Sequence, residues 1–215
     1  MKYSVYLFDF DYTLANAEVA IITCYRAVIL RHGYPDVADE AIKRGIGKGI
    51  TEIFRLLTGE TDESLLETYR LEYIEEADGY MTENTFLYPQ VIPALSELKQ
   101  RGSKLGIVSN KLSRRIMEAL VKYDIADLFD VVVGSEDTSE LKPSPAGLFI
   151  AIERLGAKKE DVIYIGDSTI DAETAQNAGV TFAAVTTGVT TAAEFDGYPC
   201  AAIMEDLSGL TTEDA

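Results

Sequence analysis

Two aspartates one residue apart, Asp9 and Asp11, close an apolar run and are followed by the hydroxyl of Thr13. A core strand has no use for that ending, because an unpaired carboxylate is costly to bury. A site that grips a divalent cation and attacks an electrophile does use it. Three further groups of the same character stand far along the chain. They are Ser109-Asn110, Lys142 in Lys142-Pro143-Ser144-Pro145, and Gly166-Asp167 followed by Asp171. Clustered carboxylates repel one another and need a cation, and oxygen donors alone suit Mg2+. A carboxylate can also act as a covalent nucleophile toward phosphorus. A lysine, a serine hydroxyl and backbone N–H groups can then offset charge on the phosphoryl oxygens. A second aspartate two residues on can protonate the leaving oxygen and later deprotonate water.

Each of these groups follows a strand-like apolar run. Such runs fall at residues 4–8, 104–108, 131–133, 162–165 and 181–185. Helical patterns lie between the later ones. One begins near Pro89 and stops at Gly102, and another carries Ile116, Leu120 and Val121. A third opens with Ser144 as N-cap and Pro145 as the first helical residue, and ends at Gly156. Strands alternating with helices imply βαβ units and a parallel sheet, an α/β fold. In such a sheet the strand ends share one edge, so residues distant in sequence can converge there. Residues 16–85 lack strands and hold three helical patterns, built on Ile21/Tyr25/Val28, on Ile50/Phe54/Leu57 and on Leu66/Tyr69/Tyr73. The predicted organisation is a core of residues 1–15 and 86–215 interrupted by a helical domain at 16–85, with two hinge crossings.

A formal charge of −17 argues against a nucleic-acid backbone as partner, since phosphate contacts need clustered Lys and Arg. No run approaches the ~18 apolar residues of a membrane span, and the apolar run before Asp9 is too short for a signal peptide. The expected setting is cytoplasmic, without a membrane partner. Cys24 and Cys200, the two cysteines, read as reduced and structural. The one histidine, His32, abuts Gly33 at a helix end, where capping or a surface role outweighs catalysis.

In order along the chain, Asp9-Phe10-Asp11-Tyr12-Thr13, Ser109, Lys142 and Gly166-Asp167 through Asp171 match the four motifs of the haloacid dehalogenase superfamily, which this sequence resembles throughout its α/β half. Its organisation is similar to that of phosphoglycolate phosphatase-like members with a type 1 helical cap. The resemblance implies a Rossmann-like parallel sheet and a Mg2+-dependent phosphatase acting on a small phosphate ester, phosphoglycolate-like or a sugar phosphate. It implies Asp9 as nucleophile and metal ligand, and Asp11 as acid/base that also offers its carbonyl to the metal. Ser109 would bind the phosphoryl group, Lys142 would offset charge, and Asp167 and Asp171 would complete the metal site, Asp171 directly or through water. Asn110 and Thr13 are supporting residues on the substrate side, Thr13 as readable as a turn hydroxyl bonded to its own backbone as it is as a substrate contact. Dehalogenases of the family lack the acid at Asp11, which favours phosphatase. The alternatives are a sugar phosphomutase of the β-phosphoglucomutase type and a non-catalytic phosphate-binding module. A monomer or weak homodimer is expected.

Two departures stand out. Relatives usually carry Gly at Tyr12, and Tyr makes a positive φ costly. Either the ring narrows the crevice beside the site or it packs against the hinge. Relatives carry Asp-Ser where this chain has Asn16-Ala17, and Asn16 still suits an N-cap. The run Lys43-Arg44-Gly45-Ile46-Gly47-Lys48-Gly49 forms a pliable loop. Its Arg44 and Lys48 either greet an anionic leaving group or are solvated surface charges.

Overall fold

The computed structural model describes residues 3–211. Six parallel strands form one sheet in the order β5-β4-β1-β6-β7-β8. They are β1 (Val5–Phe8), β4 (Lys104–Val108), β5 (Val131–Val133), β6 (Val162–Gly166), β7 (Thr181–Val185) and β8 (Cys200–Met204). The predicted strands all form. β8 had no signal, because it is a largely exposed edge strand with no alternating pattern.

Side chains alternate across the sheet as the period of two requires. Tyr6 and Phe8 of β1, with Ile163 and Ile165 of β6, pack under α5 (Val91–Gln100) and α6 (Ser113–Lys122). Val5 and Leu7, with Val162 and Tyr164, pack on the other face under α7 (Ala146–Leu155) and α8 (Thr169–Ala178). Both faces are covered, which is why these strands read as continuous apolar runs. α7 starts one residue later than the sequence suggests: Pro145 takes the cap position, while Ser144 Oγ still accepts the Ala146 N–H at 3.3 Å. β1 lies centrally, and the chain places β4 and β5 on one side of it and β6 to β8 on the other. That reversal of strand order opens a crevice at the carboxyl ends of β1, β4 and β6.

Between β1 and β4 the chain leaves the sheet and returns. β2 (Ala15–Asn16) and β3 (Phe86–Leu87) pair antiparallel, so the outgoing and returning chains are tied side by side. The insert contains four helices rather than three: α1 (Glu18–Arg31), α2 (Asp39–Lys43), α3 (Ile50–Thr58) and α4 (Glu63–Tyr80). The five-residue α2 is too short for a periodic pattern to show. Tyr25, Phe54, Tyr69 and Tyr73 interlock at centroid distances of 4.4–6.3 Å and anchor a separate apolar cluster. Asn16 is not the cap residue of α1, since Ala17 takes that position. Its Oδ1 nonetheless accepts the Glu18 N–H at 2.9 Å, so the capping chemistry survives one residue early. His32 caps the C-terminus of α1, with Nε2 2.9 Å from Glu72. Cys24 and Cys200 are free thiols.

Candidate active site

The end of β1 is fixed to its neighbour by the Asp9 N–H, which donates to Ile165 O at 2.9 Å. This places the buried Asp9 carboxylate among groups delivered by three other strand ends. Lys142 Nζ lies 2.7 Å from Asp9 Oδ1 and 2.6 Å from Asp171 Oδ1. Carboxylate oxygens of Asp9, Asp167 and Asp171 fall within 4.8 Å of one another, all buried. Three carboxylates around one ammonium leave an excess of negative charge in a poorly solvated place. Burial, opposed by Lys142 and reinforced by Asp171, pushes the Asp9 pKa up to about 6. Burial, with Asp171 and Asp9 adding to it, raises Asp167 well above the carboxylate range. Burial disfavours the Lys142 ammonium, but Asp171 and Asp9 outweigh it and its pKa rises. An all-oxygen, electron-rich cluster of this kind fits a hard divalent cation.

Asp171 does more than stand beside the cluster. Its Oδ1 meets Lys142 and the Tyr164 hydroxyl at 2.9 Å, while its Oδ2 accepts from Ser168 Oγ at 2.6 Å and Ser168 N at 3.1 Å. Ser168 and Asp171 form a capping box at the start of α8, so helix initiation orients the carboxylate that holds the lysine. Gly166 makes room for it: a Cβ there would lie 2.4 Å from Asp171 Cγ. Gly188, from the loop after β7, packs still closer to the cluster, its would-be Cβ 2.0 Å from Asp167 Oδ2. Thr13 resolves its two sequence readings in a third way, placing Oγ1 3.4 Å from Asp167 Oδ1.

Asp11 faces elsewhere. With Ser109 and Asn110 it borders a cavity, open to solvent at its mouth, between the sheet edge and the helical insert. Asn110 ties the two sides together. Its Oδ1 accepts the Lys142 N–H at 2.9 Å, and its Nδ2 donates to Gly47 O of the insert loop at 2.9 Å. Of the two loop cations, Lys48 borders the cavity but pairs with Glu52 at 2.9 Å. Arg44 does not reach the site: its side chain is 60 % exposed and pairs with Glu194 at 3.3 Å. It is the C-cap of α2 and lies outside the cavity lining, which favours the surface-charge alternative over the leaving-group one.

Tyr12 adopts φ 61°, the left-handed conformation that glycine would take freely. Its ring is buried in the apolar cluster of the insert, and its hydroxyl donates to Glu18 Oε2 at 2.7 Å. The ring is absent from the cavity wall, so it packs at the hinge and does not narrow the entrance. Glu18 in turn meets Lys43 Nζ at 3.0 Å, linking the turn after Asp11 to α2.

Sequence reasoning missed four residues. Lys111 reaches both Asp11 oxygens, at 3.0 and 3.1 Å. A cation directly after Ser109-Asn110 in so acidic a chain was the available signal. Arg115, buried on α6, borders the cavity and read only as a helix residue. Tyr164 and Gly188 carried no signal, being one more residue of an apolar strand and one more loop glycine.

The comparisons agree with this geometry. A family model described as haloacid dehalogenase-like hydrolase matches residues 6–185. The chain belongs to the haloacid dehalogenase-like hydrolase family. Among curated proteins it is 32% identical over 209 residues to phosphoglycolate phosphatase of Rhodobacter capsulatus, covering 95% of this chain and 93% of that one. It is 30% identical over 210 residues to pyrophosphatase PpaX of Bacillus cereus, covering 98% and 95%. Among solved structures, one described as a haloacid dehalogenase-like hydrolase from Bacteroides fragilis superposes with a TM-score of 0.96 at 51% identity, covering 97% of this chain and 100% of that one.

Proposed function

We propose that this enzyme is a Mg2+-dependent phosphatase that hydrolyses a small phosphomonoester through a phosphorylated Asp9. The observation that carries this reading is the division between the two leading aspartates. Asp9 sits in the buried carboxylate–ammonium cluster, and Asp11 opens onto the cavity where a leaving group would lie. Asp9, Asp167 and the Asp11 carbonyl would hold the metal, with Asp171 beside them. Mg2+ bound there would offset charge on the cluster and on the phosphoryl oxygens.

The chain's own groups account for both half-reactions. The Asp9 carboxylate attacks phosphorus as the ester P–O bond breaks, its electron pair leaving on the ester oxygen. Asp11, in its protonated form, gives that oxygen a proton, and the alcohol departs. Asp11, now a carboxylate, takes a proton from water whose oxygen attacks the same phosphorus. The bond from phosphorus to Asp9 breaks, returning a free carboxylate and inorganic phosphate. Lys142, held by Asp171 and Tyr164, and the Ser109 hydroxyl serve the phosphoryl oxygens throughout. Residues 16–85 act as a cap whose loop closes on the core through Asn110 and Gly47, excluding bulk water.

The test is phosphate release from a panel of phosphomonoesters with and without Mg2+. Turnover should require the metal and vanish in Asp9→Asn. Near-normal turnover by Asp9→Asn would rule out the covalent route.

A further inference from the structure

The cavity that Asp11 borders has a wall chemistry that the phosphatase reading leaves unused. Ile21, Tyr25, Ile46, Ile50, Ile74 and Met81 supply most of its far side from the helical insert. Three cations also reach it, and each is already matched by carboxylates. Lys111 spans both oxygens of Asp11 at 3.0 and 3.1 Å. Lys48 meets Glu52 at 2.9 Å. Arg115 meets Glu118 at 2.8 Å through Nη1 and faces Asp78 through Nη2, and Arg114 shares Asp78 at 3.0 Å, so two cations and two carboxylates balance there. The wall is therefore largely apolar, and each cation that reaches it lies against a carboxylate. A second anionic group on the substrate would lose its water against this wall and would have to compete with a carboxylate for any cation there. A hydrocarbon or ring would bury surface against the isoleucines and tyrosines.

We propose, on the basis of the phosphatase reading, that the leaving group this enzyme accepts is an uncharged, mainly apolar alcohol. Glycolate and phosphate, the leaving groups implied by the names of its curated relatives, do not fit that description. One polar contact is available at the wall. Arg115 Nε is buried and has no hydrogen-bond partner among the described residues. A single neutral acceptor on the leaving group, a hydroxyl or carbonyl oxygen, suits it.

The experiment compares esters whose leaving oxygens have similar basicity, so that chemistry does not set the ranking. In the series ethyl, propyl, butyl and pentyl phosphate, kcat/KM should climb roughly three- to fourfold per methylene, the value of burying each one. Pentyl phosphate should exceed 4-carboxybutyl phosphate, of equal carbon count, by at least about tenfold, with the difference in KM. Glycolate phosphate and pyrophosphate should rank below both. Ile74→Lys, which adds a cation to the wall from a half-buried position on α4, should shrink or invert the gap between the neutral and carboxylated esters. A flat alkyl series, a carboxylated ester that matches or beats its neutral partner, or a gap unmoved by Ile74→Lys would overturn the inference. Phosphate release with the ranking reversed would sink this inference and leave the phosphatase reading standing. Absence of release from every ester would sink both.

Discussion

Lys111 Nζ lies across the carboxylate of Asp11, 3.0 Å from one oxygen and 3.1 Å from the other, where Asp11 borders the cavity. The contact fixes the orientation of the group that, in the proposed mechanism, hands a proton to the leaving oxygen. It also adds a charge whose removal would leave Asp11 unpaired in a largely apolar wall. Lys111→Met should therefore lower kcat on alkyl phosphates by about 10- to 100-fold, within the range of general acid catalysis. The loss should be much smaller on 4-nitrophenyl phosphate, whose leaving oxygen needs no proton. Equal losses on both substrates would show that Lys111 does not act through Asp11.

The Asp9 pKa of about 6 sets a sign for stability against pH. A carboxylate raised above its unfolded value, ~3.9, binds more protons folded than unfolded between the two values. The chelated protein should lose stability as pH rises from about 4 through about 6, and stay penalised above that. Asp9→Asn removes the titrating group and should flatten that part of the slope. Added Mg2+ should raise the melting temperature more at about pH 7.5 than at about pH 5, because the metal replaces the protons. Thermal melts of both proteins across this range decide it.

Tyr12 separates stability from specificity. Tyr12→Phe loses the bond to Glu18 and should cost about 1 kcal/mol. Tyr12→Gly relieves the left-handed backbone but empties a buried ring site, for a net loss of about 2–4 kcal/mol. Neither should reorder a substrate panel, because the ring does not border the cavity. A changed ranking with Tyr12→Gly would show that the ring reaches the substrate.

Asn110 joins closure to the lysine loop. Asn110→Asp keeps the acceptor for the Lys142 N–H but sets a carboxylate oxygen against Gly47 O in place of a donor. KM should rise with little change in melting temperature. Asn110→Ala also strands the buried Lys142 N–H, and should add a loss of about 1–3 kcal/mol in stability.

Gly188 admits no side chain. A Cβ would stand 2.0 Å from Asp167 Oδ2, so Gly188→Ala must displace that carboxylate. Half-maximal Mg2+ for activity should rise by about 10- to 100-fold, as when a ligand's support is disturbed. An unchanged Mg2+ titration would separate Asp167 from the metal.

The sequence by itself determined five of the six sheet strands and the cluster. A strand buried on both faces must be continuously apolar, so β1, β4, β5, β6 and β7 announced themselves, and the polar residues that end them were exceptions to that rule. Asp9, Ser109, Lys142, Asp167 and Asp171 converge because parallel strands bring their carboxyl ends to one edge. β8 and α2 escaped because an exposed edge strand and a five-residue helix carry no periodic constraint. The pairings were decided only in three dimensions. Nothing in the spacing told that Arg44 would turn to Glu194 while Lys111 turned to Asp11, or that Tyr12 would enter the insert's core. Side-chain direction depends on which helix faces which strand end, and local sequence does not contain that relation. The same holds for the cavity wall, where Ile21 and Ile50 read as helix core in sequence but border the space beside Asp11 once the insert folds against the sheet.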